Sequence, residues 1–138
     1  AMMAAGVEDP AALSHNKVVG VEHVKELVAW SKENLQKDPS RALYEAVEFR
    51  AGDGREGEPQ FAPYDAIHVG AAALGMPHKL ISQLKVNGRM VAPVEEQGTQ
   101  YLIVVDKTGP GPHDYEYRRE GQVRYVPLTD RSHYRSEL

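Results

Sequence analysis

The sequence predicts an α/β fold built on a mainly parallel sheet, and three observations support that prediction. Tyr64 to Ala73 form a short apolar run that ends in small residues, which is typical of a buried parallel strand running into a tight turn. Short β-forming runs alternate with amphipathic helical spacing in the first part of the chain, as in parallel strands joined by crossovers. With 138 residues, 41% of them hydrophobic, the chain can form one domain with a core, which we assign to residues 1–138.

The composition narrows the classes of function. A net charge of −4 argues against a dedicated nucleic-acid binder, which usually carries a basic excess. The absence of cysteine excludes disulfides, thiolate metal sites and a cysteine nucleophile. No apolar run approaches the roughly 20 residues that span a bilayer, and Ala1–Gly6 lack the basic region of a secretory signal. We therefore expect a cytoplasmic protein with no nucleic-acid or membrane partner.

Local patterns predict the order β-α-β-β-α-β followed by two further strands. Apolar residues at helical spacing after Glu22 predict an amphipathic helix through Leu35, and Pro77 predicts the start of a short second helix. Ala1–Gly6 predict the end of a helix with a glycine cap, and Val86–Gly88 predict a turn. The predicted strands are Lys17–Val21, Val47–Ala51, Tyr64–Val69, Arg89–Val94, Gln100–Asp106 and Gln122–Leu128. We expect the last two to pair antiparallel at one edge of the sheet.

Three strand ends carry residues that could line one ligand crevice, because ligands of open α/β sheets bind outside the carboxyl ends of the strands. Glu22 could accept hydrogen bonds from both hydroxyls of a ribose, although an acid there also stabilises the first turn of a helix. Asp53, between two glycines, could accept from an exocyclic amine or belong to an ordinary Asp-Gly turn. His68 precedes a Gly-Ala turn and is either a functional group at the crevice or a satisfied core histidine.

Other chemistry is not indicated by the sequence. The six histidines lack metal-ligand spacing, so no metal site is predicted. No serine lies in a nucleophile elbow. Asp65, at the start of its strand, is expected at the opposite end of the sheet from the crevice, in a structural role.

Several long motifs resemble, in the same order, those of protein-L-isoaspartate O-methyltransferases. The stretches that carry the resemblance, collinear from about Ala1 to Asp130, are Val19–Val28, Gly52–Arg55, Tyr64–Ala73, Leu80–Lys85, Gly88–Val94 and Tyr125–Asp130. The resemblance implies a Rossmann-like, S-adenosylmethionine-dependent methyltransferase. Members of that family methylate the α-carboxylate of L-isoaspartyl residues in damaged proteins. The ester closes to a succinimide that reopens partly to normal aspartate, which makes the reaction one of protein repair.

The resemblance also implies site residues. Glu22, where the family usually has aspartate, would hold the ribose of the cofactor, with His23 beside it. The expected cofactor-binding residues are Glu22, His23, Asp53, Gly54 and Thr129. The expected substrate-binding residues are His68, Val69, Gly70, Ala71 and Val126. No catalytic residue is expected, because a sulfonium is a good methyl donor and an ionised carboxylate an adequate nucleophile, so alignment and exclusion of water carry the reaction.

The family's chain begins well upstream of Ala1, with a first strand and a glycine-rich loop that cradles the methionine part of the cofactor. We therefore expect a truncated sheet that lacks its central first strand, between the strands at Lys17–Val21 and Tyr64–Val69, with unpaired edges on both neighbours. Either a marginal fold or rescue by another chain in a homo-oligomer follows from that expectation, and this chain alone is expected to be inactive. Two alternatives stay open, namely another S-adenosylmethionine-dependent methyltransferase and a non-enzymatic dimerisation module.

Overall fold

The computed structural model describes residues 2–3, 17–39 and 41–128. Its strands are β1 (Met2–Met3), β2 (Val18–Glu22), β3 (Val47–Ala51), β4 (Tyr64–His68), β5 (Ala73–Leu74), β6 (Leu84–Glu96), β7 (Thr99–Lys107) and β8 (Tyr115–Gln122). Its helices are α1 (Lys25–Gln36), α2 (Arg41–Ala46) and α3 (His78–Ile81), with a 3₁₀ turn at Pro59–Phe61. In the described ranges, no helix combines the length and the hydrophobicity needed to cross a membrane.

The strands form one mixed sheet in the order β3-β2-β1-β4-β6-β7-β8, with β5 added to β6. β2 pairs in parallel with β3, and β4 in parallel with β6. β1 is antiparallel to both β2 and β4, so β2 and β4 run in the same direction. The carboxyl ends of β2, β3 and β4 therefore meet at one edge of the sheet, as the sequence predicts.

β1 occupies the position between β2 and β4 at which the sequence predicts a missing strand. Met2 is opposite both Gly20 and His68, and Met3 is opposite Val19. The predicted helix end is wrong for these two methionines, and the rest of that prediction, at positions 4–6, lies outside the described residues. Unpaired backbone groups on two facing strands accept an extended segment between them. The strand edges that the sequence predicts to be unpaired are thus paired with β1 at Val19, Gly20 and His68.

The core lies where β2, β4, β6, β7 and α3 meet. Alternate residues of the strands point inward, and α3 contributes two fully buried side chains. The buried cluster comprises Val19, Val21, Tyr64, Ile67, Val69, Leu80, Ile81, Leu84, Met90, Ala92, Val94, Ile103 and Val105. This core fixes β4, which forms the first half of the apolar run from Tyr64 to Ala73.

The last predicted strand is misplaced. The final strand is β8 (Tyr115–Gln122), antiparallel to β7 at the edge of the sheet, as the predicted pairing requires. Residues 123–128 contain no strand, only an isolated bridge between Ala72 and Pro127. The sequence pattern does not predict β8, because nearly every side chain on it is exposed and many are charged, so it shows no apolar alternation.

The predicted turn at Val86–Gly88 is a bulge inside β6. Tyr64 lies opposite Leu84, and Ala66 lies opposite Arg89, so residues 85–88 of β6 face the single residue Asp65. Asn87 adopts a positive φ of 68° in this bulge. Asp65 forms an exposed ion pair of 2.9 Å with Lys85, as its predicted structural role suggests.

Candidate functional site

An open cleft of about 570 Å³ lies at the carboxyl ends of β2, β3 and β4. Its volume is in the range of small-molecule sites, roughly 300–1,000 Å³. The lining residues are Gly20, Val21, Glu22, His23, Leu27, Trp30, Ser31, Phe49, Gly54, His68, Gly70, Ala71, Val126, Pro127 and Leu128. The three strand ends that the sequence singles out therefore contribute to one cavity.

Glu22 is the last residue of β2, and its carboxylate is anchored on one side. Its Oε1 accepts a hydrogen bond of 2.9 Å from the backbone N–H of Val24 and lies 3.0 Å from Nδ1 of His23. Val24 is the N-cap of α1 and has no side-chain cap of its own, so Glu22 also stabilises the entry to the helix. In the described part of the chain no hydrogen bond engages Oε2. The structural and the ligand-binding interpretations of Glu22 are therefore compatible.

The end of β3 brings Gly54 to the cleft and turns Asp53 aside. The backbone N–H of Gly52 donates to the carbonyl of Glu22 at 2.9 Å, which ties the two strand ends together. Oδ1 of Asp53 accepts from the backbone N–H of Arg55 at 2.9 Å, and the Arg55 guanidinium lies 2.6 Å from Oδ2. Asp53 is absent from the lining, whereas Gly54 is buried in it. The geometry at Asp53 is that of a side-chain-stabilised turn, and its contact with a cofactor stays a prediction.

At the end of β4, residues that line the cleft alternate with one buried residue. His68 is exposed and lines the cleft, so the core-histidine interpretation is wrong. Val69 has only 1% of its surface exposed, and its N–H donates to the carbonyl of Val91 at 3.0 Å. Gly70 and Ala71 return to the cleft. A Cβ added to Gly70 would meet only Cε1 of His68, at an ordinary contact distance of 3.8 Å, so the smallness of Gly70 widens the cleft rather than serving the packing.

A short C-terminal segment closes one side of the cleft. The N–H of Ala72 donates to the carbonyl of Val126, and the N–H of Leu128 donates to the carbonyl of Ala72, both at 2.8 Å. This pairing places Val126, Pro127 and Leu128 beside the end of β4. Thr129, predicted to contact the cofactor, lies outside the described residues.

An aromatic wall of the cleft was not predicted. Leu27, Trp30 and Ser31 share one face of α1, and Trp30 has 59% of its surface exposed. Phe49 lies over Gly20 on the neighbouring strand, where an added Cβ would approach its ring to 2.8 Å. The spacing i, i+3, i+4 of Leu27, Trp30 and Ser31 was the available signal, because it places them on one side of a helix.

The described residues hold no group of three or more histidine, aspartate or glutamate side chains arranged to bind a metal ion. The site is therefore built from one anchored carboxylate, two histidines, small residues and aromatic surface. Such a set is suited to holding an organic ligand by hydrogen bonds and apolar contact.

Comparison with known proteins relates the whole chain to one family. A profile of the Protein-L-isoaspartate(D-aspartate) O-methyltransferase (PCMT) family matches residues 2–133. The chain is 48% identical over 118 residues to a protein-L-isoaspartate O-methyltransferase of Triticum aestivum, covering 84% of this chain and 50% of the relative. It is 44% identical over 116 residues to the enzyme of that name from Caenorhabditis elegans, covering 83% and 50%.

Solved structures give the same result. A crystal structure of a protein-L-isoaspartate O-methyltransferase from Plasmodium falciparum in complex with S-adenosyl-L-homocysteine matches with a TM-score of 0.68 and 30% identity, covering 80% of this chain and 51% of that one. The predicted methyltransferase sheet is confirmed by this match. The chain spans about half the length of the curated relatives. On the strength of these matches, the chain belongs to the protein-L-isoaspartate(D-aspartate) O-methyltransferase family.

Proposed function

We propose that this chain supplies part of an active site that transfers a methyl group from S-adenosylmethionine to the α-carboxylate of L-isoaspartyl residues in damaged proteins or peptides, leaving S-adenosylhomocysteine. The observation that carries the proposal is the single cleft shared by the ends of β2, β3 and β4. Ligands of open α/β sheets bind at this position, so a shared cleft is the arrangement that the reaction needs.

The residues on the nucleotide side fit the cofactor. Oε1 of Glu22 is held by the entry to α1, and Oε2 can accept hydrogen bonds from ribose hydroxyls. Phe49 and Trp30 offer flat apolar surface for the adenine ring, beside Gly54. His23 is held against the Glu22 carboxylate at 3.0 Å and so narrows the space beside it. Once bound, the cofactor supplies an electrophilic methyl group on a sulfonium.

The residues on the substrate side position and enclose the nucleophile. Gly70 and Ala71 have the smallest side chains, so the end of β4 leaves room for a peptide backbone to approach. Val126 covers the opposite side with an exposed apolar side chain. Because a carboxylate is ionised at neutral pH, no base has to remove a proton. Catalysis then depends on holding the carboxylate in line and excluding water.

Two further inferences concern the catalytic activity and the oligomeric state of this chain. We infer that the 138 residues alone do not catalyse methyl transfer, since relatives about twice as long carry the activity by name. We also infer that the chain self-associates, because among residues 2–3, 17–39 and 41–128 the pairing of β1 with β2 and β4 is limited to Val19, Gly20 and His68. The location that we infer is the cytoplasm. The rival interpretation, a non-enzymatic dimerisation module, predicts self-association without cofactor binding.

The test is calorimetric titration of the full 138-residue chain with S-adenosylhomocysteine. We expect binding, weakened at least roughly tenfold by Glu22→Gln, because hydrogen bonds to a charged group contribute about 1.5–3 kcal/mol. Glu26→Gln is the matched control, since Glu26 is an exposed acid in the first turn of α1 and is absent from the cleft lining. A folded chain that binds nothing, or equal losses in both variants, would refute the assignment of Glu22 to the ribose.

A second assay separates the enzymatic interpretations. An isoaspartyl peptide and methyl-labelled cofactor are offered to this chain and, as a positive control, to the full-length wheat relative. Labelled ester from the relative but not from this chain is the expected result. Transfer by this chain alone would contradict the inferred inactivity, and transfer to a different acceptor would favour another methyltransferase.

A further inference from the structure

We propose that Gln100 is a positioning residue of the cleft, because its carboxamide holds the segment of residues 123–128 where that segment forms one wall. Three residues of the segment, Val126, Pro127 and Leu128, line the cleft. The role of Gln100 in placing this wall stands on the geometry of the chain alone. Its consequence, weaker binding of an isoaspartyl peptide when the carboxamide is removed, rests on the proposed function.

The segment 123–128 needs support from outside itself. It follows the end of β8 and contains no strand of its own. Val126 is 72% exposed, so burial of its side chain does not fix the segment, and Pro127 has no backbone N–H to donate. Leu128, at the far end, packs against the buried cluster. The near end therefore depends on hydrogen bonds.

Gln100 makes these hydrogen bonds at the near end. Its Oε1 accepts from the backbone N–H of Tyr125 at 2.6 Å, and its Nε2 donates to the carbonyl of Tyr125 at 3.0 Å. A carboxamide carries a donor and an acceptor on one planar group, as a peptide unit does. One side chain thus pairs both backbone groups of Tyr125 after the ladder of β8 has ended. The backbone carbonyl of Gln100 also accepts from the N–H of Val123 at 3.0 Å.

A second attachment lies on the next residue of the segment. The carbonyl of Val126 accepts from the N–H of Ala72, and the carbonyl of Ala72 accepts from the N–H of Leu128, both at 2.8 Å. Ala72 follows the cleft residues at the end of β4 and is 1% exposed. Because the two attachments are on the adjacent residues Tyr125 and Val126, loss of the first should loosen the second.

Gln100 is itself held firmly by the sheet. It is the second residue of β7, is half-buried, and lies opposite Glu95 of β6 in a regular ladder. Gln97, in the turn that joins β6 to β7, offers a contrast. Gln97 is exposed, and its side chain forms no hydrogen bond with any described residue. Two glutamines three residues apart therefore differ in whether they hold the segment.

The first test is amide hydrogen exchange in the ligand-free 138-residue chain, read at single residues by mass spectrometry with electron-transfer fragmentation. Gln100→Met keeps the length of the side chain and removes the carboxamide. Exchange should become about threefold to tenfold faster at both Tyr125 and Ala72, as expected when a hydrogen bond is lost and the segment opens locally. Gln97→Met is the matched control and should leave both amides unchanged.

Three outcomes of this test would overturn the proposal. Unchanged exchange at Tyr125 would show that the carboxamide does not hold it. Faster exchange at Tyr125 alone, with Ala72 as in the wild type, would show that the contact does not position the wall. Equal acceleration of the amides of β4 and β6 would indicate a general loss of stability instead.

A conservative variant separates hydrogen bonding from side-chain shape. Gln100→Glu has the same shape, but an ionised carboxylate has no hydrogen to donate to the carbonyl of Tyr125, whereas a protonated one has. The exchange rate at Ala72, relative to that of the wild type at the same pH, should be raised at neutral pH and return towards one in acid. Glu95, opposite on β6, adds a like charge and should move this return to higher pH. A ratio that does not change with pH would overturn the hydrogen-bonding role.

The consequence for the substrate is tested by calorimetric titration with an isoaspartyl peptide in the presence of S-adenosylhomocysteine. Gln100→Met should weaken peptide binding about threefold to tenfold, whereas Gln97→Met should not. The affinity for S-adenosylhomocysteine should stay unchanged, because Glu22 and Gly54 are on other strands. Equal peptide affinity in wild type and Gln100→Met would overturn this consequence. A wild-type chain that binds neither ligand would refute the proposed function, and exchange at Ala72 would still decide whether Gln100 places the wall.

Discussion

Trp30 is a cleft residue that the sequence analysis did not single out. It lies on the helix predicted after Glu22, and in the structure it is 59% exposed and lines the cleft. The reason is its position on α1, where Leu27 and Ser31 share its face. Local periodicity identifies a helix face but not what covers that face, because coverage depends on elements distant in the chain.

Trp30 should report ligand binding, because it is the only tryptophan of the chain. We expect its fluorescence to shift to shorter wavelength or be quenched when S-adenosylhomocysteine fills the cleft, as water leaves the indole. Trp30→Phe should bind with similar affinity by calorimetry but show no such change. Calorimetric binding with an unaltered Trp30 spectrum would contradict its assignment to the adenine side.

At the same scale, the sequence located some site residues and not others. Glu22 and His68 come together as predicted, because carboxyl ends of parallel strands share an edge. Asp53, the third residue predicted there, is absent from the cleft lining, and its neighbour Gly54 lies there instead. Val69 is buried, because successive residues of an extended strand alternate between faces and His68 already points to the cleft. Roles in binding cofactor or substrate stay predictions for all of these residues.

At the scale of elements, β6 and β7 are joined by an ion pair across the ladder. Arg89 lies opposite Asp106, and its Nε and Nη2 donate to the two carboxylate oxygens at 2.6 and 3.1 Å. The hydrogen bond from Arg89, with smaller contributions from Arg118, lowers the pKa of Asp106 from its ordinary value. The folded protein therefore binds a proton at Asp106 less readily than the unfolded chain does.

This pair gives stability a predictable dependence on pH. Because the folded pKa of Asp106 is lowered, the contribution is present above the ordinary aspartate pKa and is lost as pH falls through the lowered one. Asp106→Asn should cost less than about 1 kcal/mol at pH near 7, since the pair is partly exposed. Urea unfolding should show that cost shrinking in acid and in high salt. A cost that is constant with pH would indicate that packing, not charge, accounts for it.

Elements differ in how far the sequence determines them. The strand at Val47–Ala51 was predicted with its bounds unchanged, because its polar and apolar residues alternate and glycine follows it. β8 was missed, because a charged edge strand is stabilised by its ladder with β7 rather than by burial. β1 could not be predicted, because two residues carry no periodicity and their pairing depends on the strands on either side.

At the scale of the whole molecule, β1 controls how much of the neighbouring strands stays unpaired. We expect a solution mass above 15.3 kDa by light scattering, and more self-association when residues 1–3 are deleted. Replacing Met2 and Met3 by alanine is the control, since ladder hydrogen bonds come from the backbone. A stable monomer before and after the deletion would sink the inferred self-association.

The two-residue strand β1 also has a mechanical consequence. It is the sole described strand that hydrogen-bonds to both β2 and β4, so it joins two plates, one made of β2 and β3 and the other of β4 to β8. Glu22 and Gly54 are on the first plate, whereas His68, Gly70 and Val126 are on the second or attached to it. Among the described residues, the backbone connection between the two plates is this two-residue strand, and the buried cluster that contains Val19, Val21 and Ile67 packs across it. A ligand that contacts both plates adds a further connection between them. Filling the nucleotide side should therefore fix the width of the part of the cleft into which a peptide must fit.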